Sequence, residues 1–209
     1  MSANPTTTQG RATRERILRA AADLIAERGA TGTSLDDVRA ATAASKSQLY
    51  HYFGDKHGLV EAVVEHQCAT VLGFQAWALA GVSDWESLEQ WAQLMVTGVE
   101  ERNGRGGCPI GTLAASLADT DEPLRVSLNE AFRAWSDAIR GALARLRDNG
   151  LIAAETDLDR LTTITLAAIE GGLLLAKASR NAGPLRTALD GAIAQLRANA
   201  PARRARACA

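Results

Sequence analysis

Residues Thr33 to Val60 read "TSLDDVRAATAASKSQLYHYFGDKHGLV", and this stretch decides the fold. Ser34 ahead of Leu35-Asp36-Asp37 is an N-cap followed by acids in a first helical turn. Leu35 and Val38 then share one face of a short helix ending near Ala41. Ser45 caps a second helix whose inward residues are Leu49 and Phe53, and Gly54-Asp55 interrupts it. A turn of only a few residues parts the two. This is a helix-turn-helix arrangement, whose second helix can lie in the major groove of DNA. The exposed positions of that second helix carry Lys46, Ser47, Gln48, Tyr50 and His51. Each can bond a phosphate or a base edge, and Gln48 suits a bidentate grip on adenine. Lys56 falls in the first turn of the next helix, where its charge and the backbone N–H groups suit a phosphate. Periodicity alone leaves an alternative open, in which Tyr50 and Tyr52 cap a small core and Lys46 and Lys56 are solvated charges.

Outward from this stretch the pattern stays helical. Ile17, Ala21, Leu24 and Ile25 fall at helical spacing between Arg11 and Gly29, and Leu59, Val63, Gln67 and Val71 line a helix after Asp55. Ser83-Asp84-Trp85-Glu86 reads as a capping box opening a helix to about Arg102. Asn103 to Gly107 is a glycine-rich loop, and Pro109 opens a short helix to Leu117. Asp121-Glu122-Pro123 opens a long helix to Asn149-Gly150, Asp157 another to about Asn181, and Pro184 the last. No run reads as a strand, so the expectation is an all-α chain of about nine helices.

Composition agrees. The 209 residues are 46% apolar with charges interspersed, which favours a packed core over disorder. A formal charge of -1 means that any nucleic-acid surface is local. The first ten residues lack the apolar stretch of a signal peptide. Leu161 to Ala176 is interrupted by Glu170 and short for a membrane span, so no membrane partner is expected. Cys68, Cys108 and Cys208 are widely spaced and fit neither a disulfide framework nor a zinc site, which points to a reducing cytoplasm.

Residues 11–60 closely resemble the DNA-binding domain of the tetracycline-repressor (TetR) family of bacterial one-component regulators. Ser45-Lys46, Leu49-Tyr50, Tyr52-Phe53, Lys56 and Leu59 carry the resemblance. It is strong over about the first quarter of the chain and weaker beyond. It implies a flexible arm over 1–10, a helix-turn-helix domain over 11–57, a ligand-binding and dimerisation domain over 58–200, and a flexible basic tail over 201–209. It also implies double-stranded operator DNA as partner, contacted through Ser34, Ser45, Lys46, Ser47, Gln48, Tyr50, His51 and Lys56. One departure stands out: Ala43 fills a turn position that is usually glycine in the family. If that residue is left-handed, alanine costs on the order of 1 kcal/mol.

Leu161 to Ala176 is apolar around most of its circumference, and Gly171-Gly172 lets another helix approach closely. With the last helix it looks like the family's half of a four-helix homodimer interface, through Leu161, Ile169, Gly172, Leu173, Leu189, Ile193 and Leu196. A buried central helix of a monomer is the alternative. All four tryptophans lie outside the DNA-binding segment. Trp77, Trp85, Trp91 and Trp135, with Phe74, Met95 and Phe132, either line an apolar effector pocket or are simply core. His66, Gln67, Cys108 and Lys177 are the further candidates for that pocket. The effector is a small molecule whose identity this sequence does not reveal.

Cys108 follows the glycine-rich loop and precedes Pro109, so it should sit at a helix N-terminus that favours thiolate. "GGCPIGTLAASLAD" resembles a branch of the family in which a cysteine opens the sixth helix and some members sense electrophiles or oxidants. Lys177 is the candidate cationic neighbour, and a buried packing cysteine is the alternative. No metal-binding cluster, phosphate-cradling loop or acid pair has persuasive spacing, so neither an enzyme nor a cofactor is expected. His51, His57 and His66, spaced six and nine apart, do not share a helical face. The function expected is a sequence-specific transcriptional regulator, a repressor released by a small-molecule or electrophile signal.

Overall fold

The computed structural model describes residues 5–201. Residues 1–4 of the expected arm, and residues 202–209 of the expected basic tail including Cys208, lie outside the described residues. Nine helices and no strand occur among the described residues, in the order α1 Thr8–Arg28, α2 Leu35–Thr42, α3 Lys46–Phe53, α4 Lys56–Ala80, α5 Trp85–Glu101, α6 Pro109–Leu117, α7 Glu122–Asp148, α8 Leu158–Ser179 and α9 Gly183–Arg197. The all-α architecture is the one expected.

Local chemistry explains where the helices begin and end. The α1 helix starts earlier than its apolar periodicity because the Thr7 side chain accepts from the Gly10 N–H. Gly29, at φ 77°, ends it. Ser34 and Ser45 cap α2 and α3 as expected. The α5 cap falls one residue later than the capping box read from the sequence. Asp84 takes the position in place of Ser83, and Ser87 that in place of Glu86. The Asp84 carboxylate accepts from both the N–H and the hydroxyl of Ser87, at 2.8 and 2.7 Å, and a charged acceptor makes the stronger bond. Those bonds hold the Asp84 carboxyl below the usual carboxylate range. Arg180, left-handed at φ 53°, ends α8 before Asn181.

The chain forms two compact units. The first comprises residues up to Gly73 together with Cys108–Phe132, and the second Phe74–Gly107 together with the chain from Arg133 onward. In the first, Ile17, Ala21 and Ile25 of α1 close over Val38 of α2, Leu49 and Phe53 of α3, and Leu59 and Val63 of α4, all buried. Each of the isoleucine, valine, leucine and phenylalanine side chains contributes about 1.5–3 kcal/mol on burial, and Ala21 less. The Arg16 guanidinium donates to the Thr42 carbonyl and so ties α1 to the end of α2.

In the second unit the tightest packing joins α8 to α9. A Cβ on Gly172 would stand only 2.9 Å from the Leu185 Cα, so this glycine sets the interhelical approach. Arg145 of α7 donates to the carbonyls of Leu79 and Val82 and fixes the end of α4. The glycine-rich Asn103–Gly107 loop is packed at Gly104. That residue is buried at φ 70°, and a Cβ there would stand 2.6 Å from the Arg180 carbonyl carbon.

Candidate nucleic-acid interface

The helix-turn-helix comprises α2, the turn at residues 43–45, and α3. Ala43 occupies the turn at φ 52° and ψ 23°, the left-handed conformation that favours glycine. Alanine there carries strain of about 1–2 kcal/mol. The turn nonetheless closes, because Ala44 is buried and the Ser45 hydroxyl accepts from the Gln48 N–H at 3.1 Å. Leu49, Tyr52 and Phe53 point inward, leaving Lys46, Ser47, Gln48, Tyr50 and His51 exposed. Tyr50 is 48% exposed, and the Lys46 ammonium lies 5.8 Å from its ring centre. This cation–π contact holds two long side chains side by side on the helix face.

Four of the expected contacts, Ser34, Ser45, Gln48 and Lys56, already have work within the chain. The Gln48 side-chain carbonyl accepts from the Ser45 N–H at 2.9 Å, completing a capping box. Bidentate pairing with adenine would draw on that same carbonyl, so the box and the base compete for its orientation. Lys56 donates to the Thr31 carbonyl at 3.1 Å and buttresses the chain before α2. Ser34 is likewise bonded to Asp37, through its N–H at 2.8 Å and its hydroxyl at 2.5 Å. These bonds hold the Asp37 carboxyl below the usual carboxylate range, with Arg28 and Lys56 adding smaller contributions. Ser47, Tyr50 and His51 therefore remain the polar groups best placed for base edges, and Lys46 for a phosphate.

The expected effector residues divide between the units. His66 and Gln67, half-buried on α4, and Cys108, 6% exposed, belong to the first. Gln67 borders a small cleft with Ile25, Val63 and Leu113. Cys108 caps α6, and its sulfur accepts from the Gly111 N–H at 3.3 Å. Trp91, Met95, Trp135 and Lys177 belong to the second unit. Trp91 and Met95 are buried around Gln75, a residue sequence reasoning missed. Its side chain accepts from the Trp91 indole at 3.0 Å and donates to the Met95 sulfur at 3.6 Å. Lys177 packs its stem beside Gly107. Trp77 and Phe74 are exposed, and Trp85 lies under the Arg197 guanidinium.

The residues expected to form a dimer interface are consumed by the chain's own packing. Leu161, Ile169, Gly172, Leu173, Leu189, Ile193 and Leu196 are all buried in the α8–α9 layer. A different stripe faces outward, with Ala167, Gly171, Leu174 and Ala178 on α8, and Thr187, Gly191 and Ala194 on α9.

Two family models cover most of this architecture. The model described as bacterial regulatory proteins of the tetR family matches residues 17–63, and the C-terminal domain of LmrA/YxaF-like transcriptional regulators matches residues 85–191. A helix-turn-helix transcriptional regulator from the lacX 3′ region of Lactococcus lactis is 31% identical over 185 residues, covering 86% of this chain and 91% of the relative. The transcriptional regulator LmrA of Bacillus subtilis is 29% identical over 82% of this chain and 90% of its own. Among solved structures, the regulatory protein TetR from Rhodobacter sphaeroides superposes with a TM-score of 0.81 at 20% identity, covering 87% of this chain and 97% of that one. The polar face of α3, the capped turn before it and these likenesses lead to one conclusion: the chain belongs to the TetR family of helix-turn-helix transcriptional regulators, which bind DNA by sequence.

Proposed function

We propose that this regulator is a homodimeric repressor that occupies an operator in bacterial cytoplasm and releases it when a small molecule binds the second unit. The observation that carries the reading is the α3 surface, where Lys46, Ser47, Tyr50 and His51 are presented over the buried Leu49, Tyr52 and Phe53. One eight-residue helix offers few base contacts, so tight binding calls for two copies on half-sites one DNA turn apart. The outward α8–α9 stripe suits the second copy. Leu174 and Leu175 are 67% and 59% exposed, and the small residues beside them permit close helix approach.

Support for an effector comes from two buried donors in the second unit. The Trp135 indole N–H and the Thr162 hydroxyl have no hydrogen-bond partner among the described residues. Buried polar groups are normally satisfied by protein, water or a bound molecule, so an acceptor brought to either group would complete it. Selection of duplexes from random DNA should yield a two-fold-related motif, and Leu174→Glu should yield monomers with sharply weaker DNA binding. A monomeric wild type at micromolar concentration, still binding tightly, would refute the dimer.

A second reading makes Cys108 the signal receptor, because its sulfur sits at the start of α6 and accepts from the Gly111 N–H at 3.3 Å. Burial pushes the Cys68 thiol up, so Cys68 is the slower internal reference. Quinone or peroxide should release wild-type protein from DNA but leave the Cys108→Ser protein bound. Identical responses would leave Cys108 a packing residue.

A further inference from the structure

Helices α5 and α9 of the second unit border a groove of about 590 Å³. Its floor is apolar, formed by Ala92 and Val96 of α5 and by Leu189 and Ile193 of α9. That volume lies within the roughly 300–1,000 Å³ of small-molecule sites. Arg186 and Arg197, the first and last α9 residues of the lining, each bridge to α5. The Arg197 guanidinium donates to the Glu89 carboxylate at 2.6 Å and lies 5.4 Å from the Trp85 ring centre. Arg186 donates to the Gln93 side-chain carbonyl at 3.0 Å and to the Glu100 carboxylate at 2.8 Å. The two arginines are eleven residues apart, about 16 Å along the helix.

These bonds occupy nearly all the polar side chains of the groove. The Gln93 amide nitrogen is spent on the Thr97 hydroxyl at 3.0 Å. Each arginine is neutralised by a glutamate, so an incoming anion would have to displace Glu89 or Glu100. Asp190 is the exception. It lines the groove between the two arginines, and its carboxylate has no ion pair or hydrogen bond among the described residues. Asp190, Glu89 and Glu100 against Arg186 and Arg197 leave one net negative charge. An apolar floor beside one unspent carboxylate suits an apolar body that carries a single cation.

We propose that the α5–α9 groove is a binding site for a small amphiphilic cation, its apolar body on Val96, Leu189 and Ile193 and its ammonium on Asp190. The site goes beyond the effector reading that draws on Trp135 and Thr162, and it shares no residue with the helix-turn-helix.

The test uses the full chain and three probes of equal apolar length below their micellar concentrations: octylammonium, octanol and octanoate. Affinity is measured by titration, followed through the methyl NMR signals of Val96, Leu189 and Ile193. Wild type should bind octylammonium about 2- to 5-fold more tightly than octanol, the scale of one solvent-facing ion pair, and octanoate least tightly. Asp190→Asn should keep the octanol affinity and bind octylammonium no better than octanol. Asp190→Lys should reverse the order and favour octanoate. Equal affinity for the three probes in wild type, or an order that survives both substitutions, overturns the site. Probe-induced shifts at other methyls, with Val96 and Ile193 unmoved, overturn it as well. If the Val96 and Ile193 signals move with protein concentration before any probe is added, a second copy fills the groove, and the small cation is overturned as its occupant. Asp190 is exposed, so both variants should fold, and Asp190→Asn decides alone if Asp190→Lys does not.

Discussion

Gly104 and Gly150 lie in the same unit at nearly the same backbone angle, φ 70° and 74°, yet their surroundings differ. A Cβ on Gly150 would meet nothing within 4 Å, whereas one on Gly104 would stand 2.6 to 2.7 Å from three backbone atoms of Arg180 and Asn181. Alanine at Gly150 therefore incurs only the left-handed strain, about 1–2 kcal/mol. Alanine at Gly104 incurs that strain plus overpacking of about 1–3 kcal/mol, because backbone cannot swing aside as a side-chain end can. The expected losses are about 1–2 kcal/mol for Gly150→Ala and about 2–5 kcal/mol for Gly104→Ala. Urea unfolding followed by tryptophan fluorescence checks this, since all four tryptophans belong to the second unit. Protein concentration is held fixed, because any self-association would contribute to apparent stability. Equal losses in the two variants would refute the packing of this loop against the end of α8.

Ala43→Gly should stabilise the first unit, by about 0.5–1 kcal/mol once the greater freedom of glycine in the unfolded chain is counted, and thermal melting will show it as a raised midpoint. Gln75→Leu removes the acceptor of the buried Trp91 indole and should lower stability by about 1–3 kcal/mol, with red- or blue-shifted emission reporting the altered indole environment. The Asp37 carboxyl is depressed in the folded state, so its contribution is present above the unfolded value near pH 3.9 and is lost as pH falls through the lower folded value. Acid unfolding of Asp37→Asn should lack that loss, and an identical acid limb in both proteins would dismiss the Ser34–Asp37 box as its source.

The parts of this molecule legible in its sequence are those where one local signal dominates. Ser34 and Ser45 stand before apolar residues at helical spacing, and no competing partner displaces them, so α2 and α3 were readable with their inward residues. Gln48 shows where such reading stops. Its exposure is evident from periodicity, but exposure does not say whether a base or the chain's own backbone takes its carbonyl. The Ser45-x-x-Gln48 spacing is itself a capping-box signature, so that competition could have been found. Lys56 had no such signal, because Thr31 approaches it only through the tertiary fold. The α8 helix poses the same difficulty on a larger scale. It is apolar around most of its circumference, and periodicity cannot distinguish the side filled by α9 from the side left exposed. Gly172, pressed against Leu185, and Leu174, left exposed two residues later, part only when α9 is in place. Tyr52 combines both limits. Its ring follows the apolar spacing of α3 and is buried accordingly, while its hydroxyl is aimed at α1, forty residues earlier in sequence. A buried ring whose hydroxyl lies beside a distant helix is therefore a feature of tertiary geometry that no local pattern announces.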